Sequence, residues 1–398
     1  MALDFYATLA SMVAVLLIGR FVIKRVKFLR DYNIPEPVVG GLLVAIFATI
    51  AYKGFGIHIE FDRSLQDPLM LAFFASIGLN ADFASLKKGG GVLVKFLIVV
   101  GVFLMFQNLI GIAIATAVGQ NPLLGLLGGS ITMSGGHGTG AAWASIFKDA
   151  PYLLDNSLEV AITCATFGLI LGGLIGGPVA RYLIETYNLK PSEQKDEHLS
   201  AFESPNKQRL ITASSFVESL ALIAIALFVG TKIAGLLKGT IFNLPTFVCC
   251  LFVGVILRNA LSIFKVHQVF EREVSVIGNV SLSLFLASAL MTLKLWELAN
   301  LALPILILLI AQCVAMVAYA IFVTFRVMGK NYDSAVLAAG HCGFGLGATP
   351  TAIVNMQAIT QRYGQSHVAF IVVPMVGAFF IDILNASVIK LFLSLPIF

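Results

Sequence analysis

Long unbroken apolar runs, rather than alternating or amphipathic stretches, set the pattern of this chain. Many reach or exceed the roughly twenty residues that a helix needs to cross the hydrocarbon of a bilayer, with Val92–Val118, Leu210–Val229 and Leu301–Phe325 among the clearest. They lack the period-two alternation of a spanning β-barrel strand, so helices are predicted. The first half gives helices near 5–23, 38–53, 66–80, 92–118 and 158–184, and the second gives 211–231, 243–258, 276–296, 301–326 and 367–393. Two glycine-rich segments, 122–147 and 332–358, are left over, each ahead of the last helix of its half.

The halves echo one another. Gly136-His137-Gly138-Thr139-Gly140-Ala141 is answered by Gly343-Phe344-Gly345-Leu346-Gly347-Ala348, Ile34-Pro35 by Leu244-Pro245, and Phe74-Ala75-Ser76 by Leu286-Ala287-Ser288. The pattern predicts an all-α polytopic membrane protein built from a duplicated unit, with an N-terminal repeat over 1–184 and a C-terminal repeat over 211–398. Five spans is an odd number, so the second repeat is expected upside down relative to the first. The polar stretch between them, 185–210, reads as a flexible cytoplasmic linker.

Composition agrees: with 58% hydrophobic and 12% charged residues and a mean hydropathy of +0.93, the chain has too little polar surface for a water-soluble globule. Short cytoplasmic loops collect lysine and arginine. With the N-terminus outside, 19 of the 26 basic residues fall at inside ends, which predicts both termini outside. The net charge of +5 could suggest a nucleic-acid partner, but basic residues at the ends of apolar runs are explained by topology. The first run follows Asp4 rather than a basic cluster and is expected to be a retained helix. The 5 cysteines lie scattered in apolar surroundings, without the spacing of a metal or disulfide framework.

The glycine segments carry the candidate chemistry. Glycine costs up to about 1 kcal/mol relative to alanine in a helix, and irregular backbone at membrane depth survives only against protein or a water-filled cavity. Segments 122–147 and 332–358 therefore read as re-entrant hairpins entering from opposite faces, their tips meeting near the midplane. Such tips offer N–H groups to carboxylates, and carbonyls and hydroxyls to a hard cation. Ser134, Gly135, Gly136, His137, Gly138, Thr139, Gly140, Gly343, Gly345, Gly347 and Thr349 are the candidate substrate ligands. The bland alternative is close helix packing through small residues, which suffices for Gly168, Gly172, Gly173, Gly176 and Gly177. His137 and His341 are open between substrate contact and structural hydrogen bonding.

Ionisable residues inside spans are costly and usually functional. Asp382 lies deep in the last apolar run, with Asn385 on the same helix face, and could hold Na⁺ or a substrate ammonium. Asn80, Thr163, Thr166 and Thr351 join these two as Na⁺ candidates. The GxGxG pattern lacks the strand context of a dinucleotide site and the Lys-Ser or Lys-Thr of a phosphate loop. Neither a nucleophile–base pair nor a metal cluster stands out, so an enzyme and an organic cofactor are not expected.

At Ser134-Gly135-Gly136-His137-Gly138-Thr139-Gly140-Ala141-Ala142-Trp143 and Gly340-His341-Cys342-Gly343-Phe344-Gly345-Leu346-Gly347-Ala348-Thr349-Pro350-Thr351 the chain resembles the sodium/glutamate symporter family of bacterial inner membranes. The resemblance extends to Ile34-Pro35-Glu36-Pro37-Val38, Ile77-Gly78-Leu79-Asn80 and the run from Val373 to Asp382. It implies Na⁺-coupled uptake of L-glutamate, ten spans with two re-entrant loops in inverted repeats, a homodimer, and an elevator motion of a core domain against a fixed scaffold. Na⁺ would be the coupling ion, glutamate and the lipid bilayer the other partners. A proton-coupled or citrate-type dicarboxylate carrier of the same fold is the main rival. A passive channel suits inverted irregular tips less well.

Overall fold

The computed structural model describes residues 2–32, 34–57, 59–191, 210–238, 244–293 and 301–397, and of 84–89 the backbone alone. Most of the expected linker, 192–209, lies outside the described residues. Among the described residues nine helices are long and apolar enough to cross a bilayer. In the first half these are α1 (Phe5–Arg25), α2 (Glu36–Phe55), α4 (Ala84–Ala117, bent at Gly90) and α7 (Ser157–Thr186). The second half supplies α8 (Ala213–Leu237), α9 (Thr246–Phe264), α10 (Glu271–Met291), α11 (Ala302–Tyr319, carried on to Val327) and the run His367–Leu393. That run divides into α14 (His367–Met375) and α15 (Ile381–Leu393).

The remaining expected span, α3 (Gln66–Asn80), has 15 residues. At 1.5 Å per residue it is about 22 Å long, short of the hydrocarbon thickness. It packs most heavily against α9 and α10 rather than facing lipid along its length. The glycine-rich segments are each a pair of short helices: α5 (Pro122–Leu126) and α6 (Gly136–Lys148), then α12 (Tyr332–Leu346) and α13 (Thr349–Tyr363).

Local chemistry fixes the helix ends. Asp4 accepts from the Ala7 N–H at 2.8 Å to start α1, and asparagines open both broken segments, Asn121 capping Leu123 N–H and Asn331 capping Ser334 N–H, each at 2.9 Å. Pro374 deletes one ladder hydrogen bond from α14, and the helix widens into a π-type turn over Val376–Phe380 before α15 begins.

Two bodies emerge from the packing. The first three spans expected in each half, α1 to α3 and α8 to α10, pack on one another as a panel. The core gathers α4, α7, α11, both broken pairs and α14–α15, with α7 lying against α6, α12 and α13. The bodies meet chiefly where α10 touches α6, α9 touches α15, and α3 touches the π-turn.

Candidate functional site

The core is interrupted at two adjoining breaks. In the first, α5 passes into a π-type turn over Leu127–Ile131, where Gly129 leaves helical geometry (φ −93°, ψ −139°), and α6 starts at Gly136. Gly136 has φ +68°, which a side chain would strain, and a Cβ there would lie 3.7 Å from the Gly347 carbonyl oxygen. In the second break α12 ends at Leu346, Gly347 leaves helical geometry (φ −142°, ψ −97°), Ala348 is extended, and α13 starts at Thr349. The breaks thus bring two helix N-termini, with their unpaired N–H groups, beside one another.

Buried amides brace them. Gln107 Nε2, on α4, donates to the Gly345 carbonyl at 2.7 Å, and its Oε1 accepts from Ser134 Oγ at 2.6 Å, so one side chain ties both breaks together. Next to it Asn108 Oδ1 accepts from Ser130 N–H at 2.9 Å, while Asn385 Nδ2 donates to the Ser130 carbonyl at 2.8 Å. Gln312 Nε2 on α11 donates to the Gln107 carbonyl at 2.8 Å.

A cavity of about 650 Å³ opens between these breaks and the panel. Its core wall is Ser134–Gly138, Gly347–Pro350 and the turn leading to Asp382; its panel wall comes from α3, α10 and the start of α2. Among the described residues that line it, Glu36 and Asp382 carry charge and none is a lysine or arginine. Glu36 is paired with Arg20 at 2.9 Å. Asp382 is half-buried, its nearest polar partner being Thr139 Oγ1 at 3.5 Å. Beyond the cavity an aromatic stack closes the joint between the bodies: Trp143 of the core meets Phe247 of the panel edge-on at 5.5 Å, and Phe247 lies 4.4 Å from Phe74. A second cleft of about 790 Å³ lies on the far side of that stack.

The sequence pattern of the sodium/glutamate symporter family matches residues 1–365. The chain belongs to that family. It is a family of transporters rather than enzymes. A sodium/glutamate symporter of Escherichia coli K12 is 63% identical over 100% of this chain and 99% of its own length. One from Haemophilus influenzae is 53% identical over 97% of this chain and 96% of its own. Among solved structures, a sodium proton antiporter of Methanocaldococcus jannaschii covers 98% of both chains at 14% identity, with a TM-score of 0.44.

Placed on this family member's structure, the candidate ligands divide. Ser134, Gly135, Gly136, His137, Gly138, Gly347, Thr349, Asp382 and Asn80 line the cavity. Thr139 stands behind them, against Asp382. Gly140, Gly343 and Gly345 do not line it, and lie within helices rather than in an irregular tip. Packing explains those three: a Cβ on Gly343 would strike the Thr351–Ala352 backbone, one on Gly345 would meet Met316 and His341, and one on Gly140 would meet Thr132. The glycine motif therefore opens a helix in the first segment and closes one in the second, so the breaks and the motif are out of register.

Of the Na⁺ candidates, Thr163 and Thr166 spend their hydroxyls on the carbonyls of Glu159 and Ile162, and Thr166 also meets His137 Nε2 at 3.0 Å. Asn385 Oδ1, Thr351 Oγ1 and Asn80 Oδ1 are buried oxygens without a partner, as is Ser130 Oγ beside Asn385. His341 is fully buried away from the cavity, its Nδ1 against Thr324 Oγ1 at 2.9 Å. Sequence reasoning missed Gln107, Asn108 and Gln312; adjacent amides in the middle of the apolar run 92–118 were the available signal.

Proposed function

We propose that this chain is a Na⁺-coupled symporter that takes up L-glutamate across the bacterial inner membrane. The observation that carries the reading is the cavity where two helix N-termini and the Asp382 carboxylate converge with no lysine or arginine among the described lining residues. An amino acid with two carboxylates fits such a lining: the helix starts at Gly136 and Thr349 take the backbone carboxylate, and Asp382 takes the ammonium. Relatives of 63% and 53% identity are named sodium/glutamate symporters.

Na⁺ is held by oxygens rather than by a cluster of acids or histidines, none of three or more members occurring among the described residues. The unpartnered Ser130 Oγ and Asn385 Oδ1 sit on a shared hydrogen-bonded cluster one helical turn from Asp382, and Thr351 Oγ1 is a further donor. Coupling follows from charge. Glutamate enters with one net negative charge against an inside-negative potential, opposed by about 2.3 kcal/mol per 100 mV. One Na⁺ cancels that charge, and a second makes the potential drive uptake.

The broken pairs are re-entrant hairpins from opposite faces, within inverted repeats 1–184 and 211–398, and both termini are periplasmic. The panel-and-core packing supports an elevator motion in which the core carries the cavity along the panel of a homodimer. With the N-terminus outside, the rim at Pro35–Pro37 and Asn80 is cytoplasmic, so the conformation is inward-facing. In proteoliposomes an inward Na⁺ gradient should drive glutamate above its equilibrium level; uptake indifferent to Na⁺ would reject the reading.

A further inference from the structure

Resting on that reading, we infer that the panel wall of the cavity holds the side-chain carboxylate of the substrate, through Asn279 and Ser283 of α10. Ser275, Asn279 and Ser283 recur every four residues and form one polar stripe on α10, all lining the cavity. A polar stripe inside a spanning helix is costly unless it faces water or a ligand.

Elimination points to two members of that stripe. The backbone carboxylate and the ammonium share one carbon, so both are held together at the core wall between the helix starts and Asp382. The side-chain carboxylate then needs donors away from Asp382, and no lysine or arginine is among the described residues lining the cavity. Several lining groups are already committed. Ser134 donates to Gln107, His137 meets Thr166, Ser76 donates to the Phe73 carbonyl at 2.7 Å, and Asn80 Nδ2 donates to Ser275 Oγ at 3.0 Å, which holds Ser275 at the rim beside Asn80 although its own O–H stays free. On the panel side Asn279, exposed to the cavity, and the half-buried Ser283 remain uncommitted. An amide N–H₂ and a hydroxyl one turn apart can bind the two oxygens of a single carboxylate. The panel is then part of the substrate site, and substrate length and terminal charge are read across the joint between the bodies.

The test is uptake of labelled glutamate into proteoliposomes under an inward Na⁺ gradient, with glutamine as competitor, in the wild type, Asn279→Ala, Asn279→Asp and Ser283→Ala. Asn279→Ala should raise the KM for glutamate about tenfold, the loss of one hydrogen bond to a charged group. Asn279→Asp should raise it further, because two carboxylates then face each other, while competition by glutamine strengthens relative to glutamate. Ser283→Ala should give a smaller rise of the same kind, and the Na⁺ concentration for half-maximal uptake should stay put. A wild type without Na⁺-driven uptake would remove the functional reading itself. A transporting wild type whose Asn279 and Ser283 variants keep KM and the glutamate-to-glutamine preference within about twofold would overturn this inference alone.

Discussion

Gln107 and Gln312 are the same residue type, both fully buried in the core, yet their replacement by leucine should have different consequences. Gln107 is satisfied on both sides: its amide donates to Gly345 O and its oxygen accepts from Ser134 Oγ. Gln107→Leu removes two hydrogen bonds, worth about 0.6 kcal/mol each on average between membrane helices, and leaves Ser134 Oγ and the Gly345 carbonyl only the longer bond between them at 3.2 Å. That longer bond recovers part of the roughly 1–3 kcal/mol that a fully orphaned buried polar group would cost. The sum is about 1–3 kcal/mol, and it falls on the geometry of both breaks at once. Gln312 makes one bond, to a backbone carbonyl, and its Oε1 is already without a partner, so Gln312→Leu exchanges one lost bond for one relieved orphan and should come out near neutral. Thermal unfolding of the purified variants in detergent, with and without glutamate and Na⁺, provides the comparison. Gln107→Leu should melt well below the wild type and gain little from ligand, while Gln312→Leu should melt near the wild type and retain the ligand-induced gain. If Gln312→Leu proves as destabilising as Gln107→Leu, the bracing argument is wrong.

Other expectations follow from the same geometry. Gly138 faces the panel, where a Cβ would lie 2.8 Å from Phe73 and 2.9 Å from Leu282, so Gly138→Val should hinder this conformation and slow uptake while folded protein is still recovered. Gly343→Ala collides with backbone inside its own broken pair and should instead lower the yield of folded protein; equal yields for the two would count against the assignment. Asp382→Asn should abolish Na⁺-driven glutamate uptake without loss of membrane insertion, and near-normal uptake would remove Asp382 from the site. An inside-negative potential imposed with a potassium ionophore should accelerate uptake if more than one Na⁺ accompanies each glutamate; an indifferent rate limits the coupling to one. Trp143→Ala removes an aromatic pair worth about 0.5–1.5 kcal/mol across the joint and should raise labelling, from the periplasmic face, of a cysteine introduced into the cavity, whereas unchanged labelling would mean that the stack is not a seal.

The spanning helices were legible because burial in lipid imposes a length and an apolar composition that survive in sequence alone; the α3 boundaries expected at 66–80 are those observed. What shelters so short a helix, its packing against α9 and α10, was not visible, since those partners lie far away in sequence. The first break was legible because dense glycine beside Ser134 and His137 suits an interrupted helix. That Gly140, Gly343 and Gly345 lie away from the cavity was not, because a close backbone approach and an exposed peptide call for the same residue, and only the neighbours tell them apart. Gln107 was invisible as a brace because its partners, Ser134 and Gly345, lie 27 and 238 residues away in sequence.

On the proposed function, glutamate and Na⁺ meet in the cavity between the two breaks and the panel. Ala378 is exposed there, one turn before Asp382, so Ala378→Cys, in a background whose five native cysteines are replaced, reports on its occupancy. Maleimide labelling of that cysteine in membrane vesicles should slow when glutamate and Na⁺ are added together, and much less with either alone. Full labelling in the presence of both, at concentrations that support uptake, would place the substrate elsewhere and contradict the account.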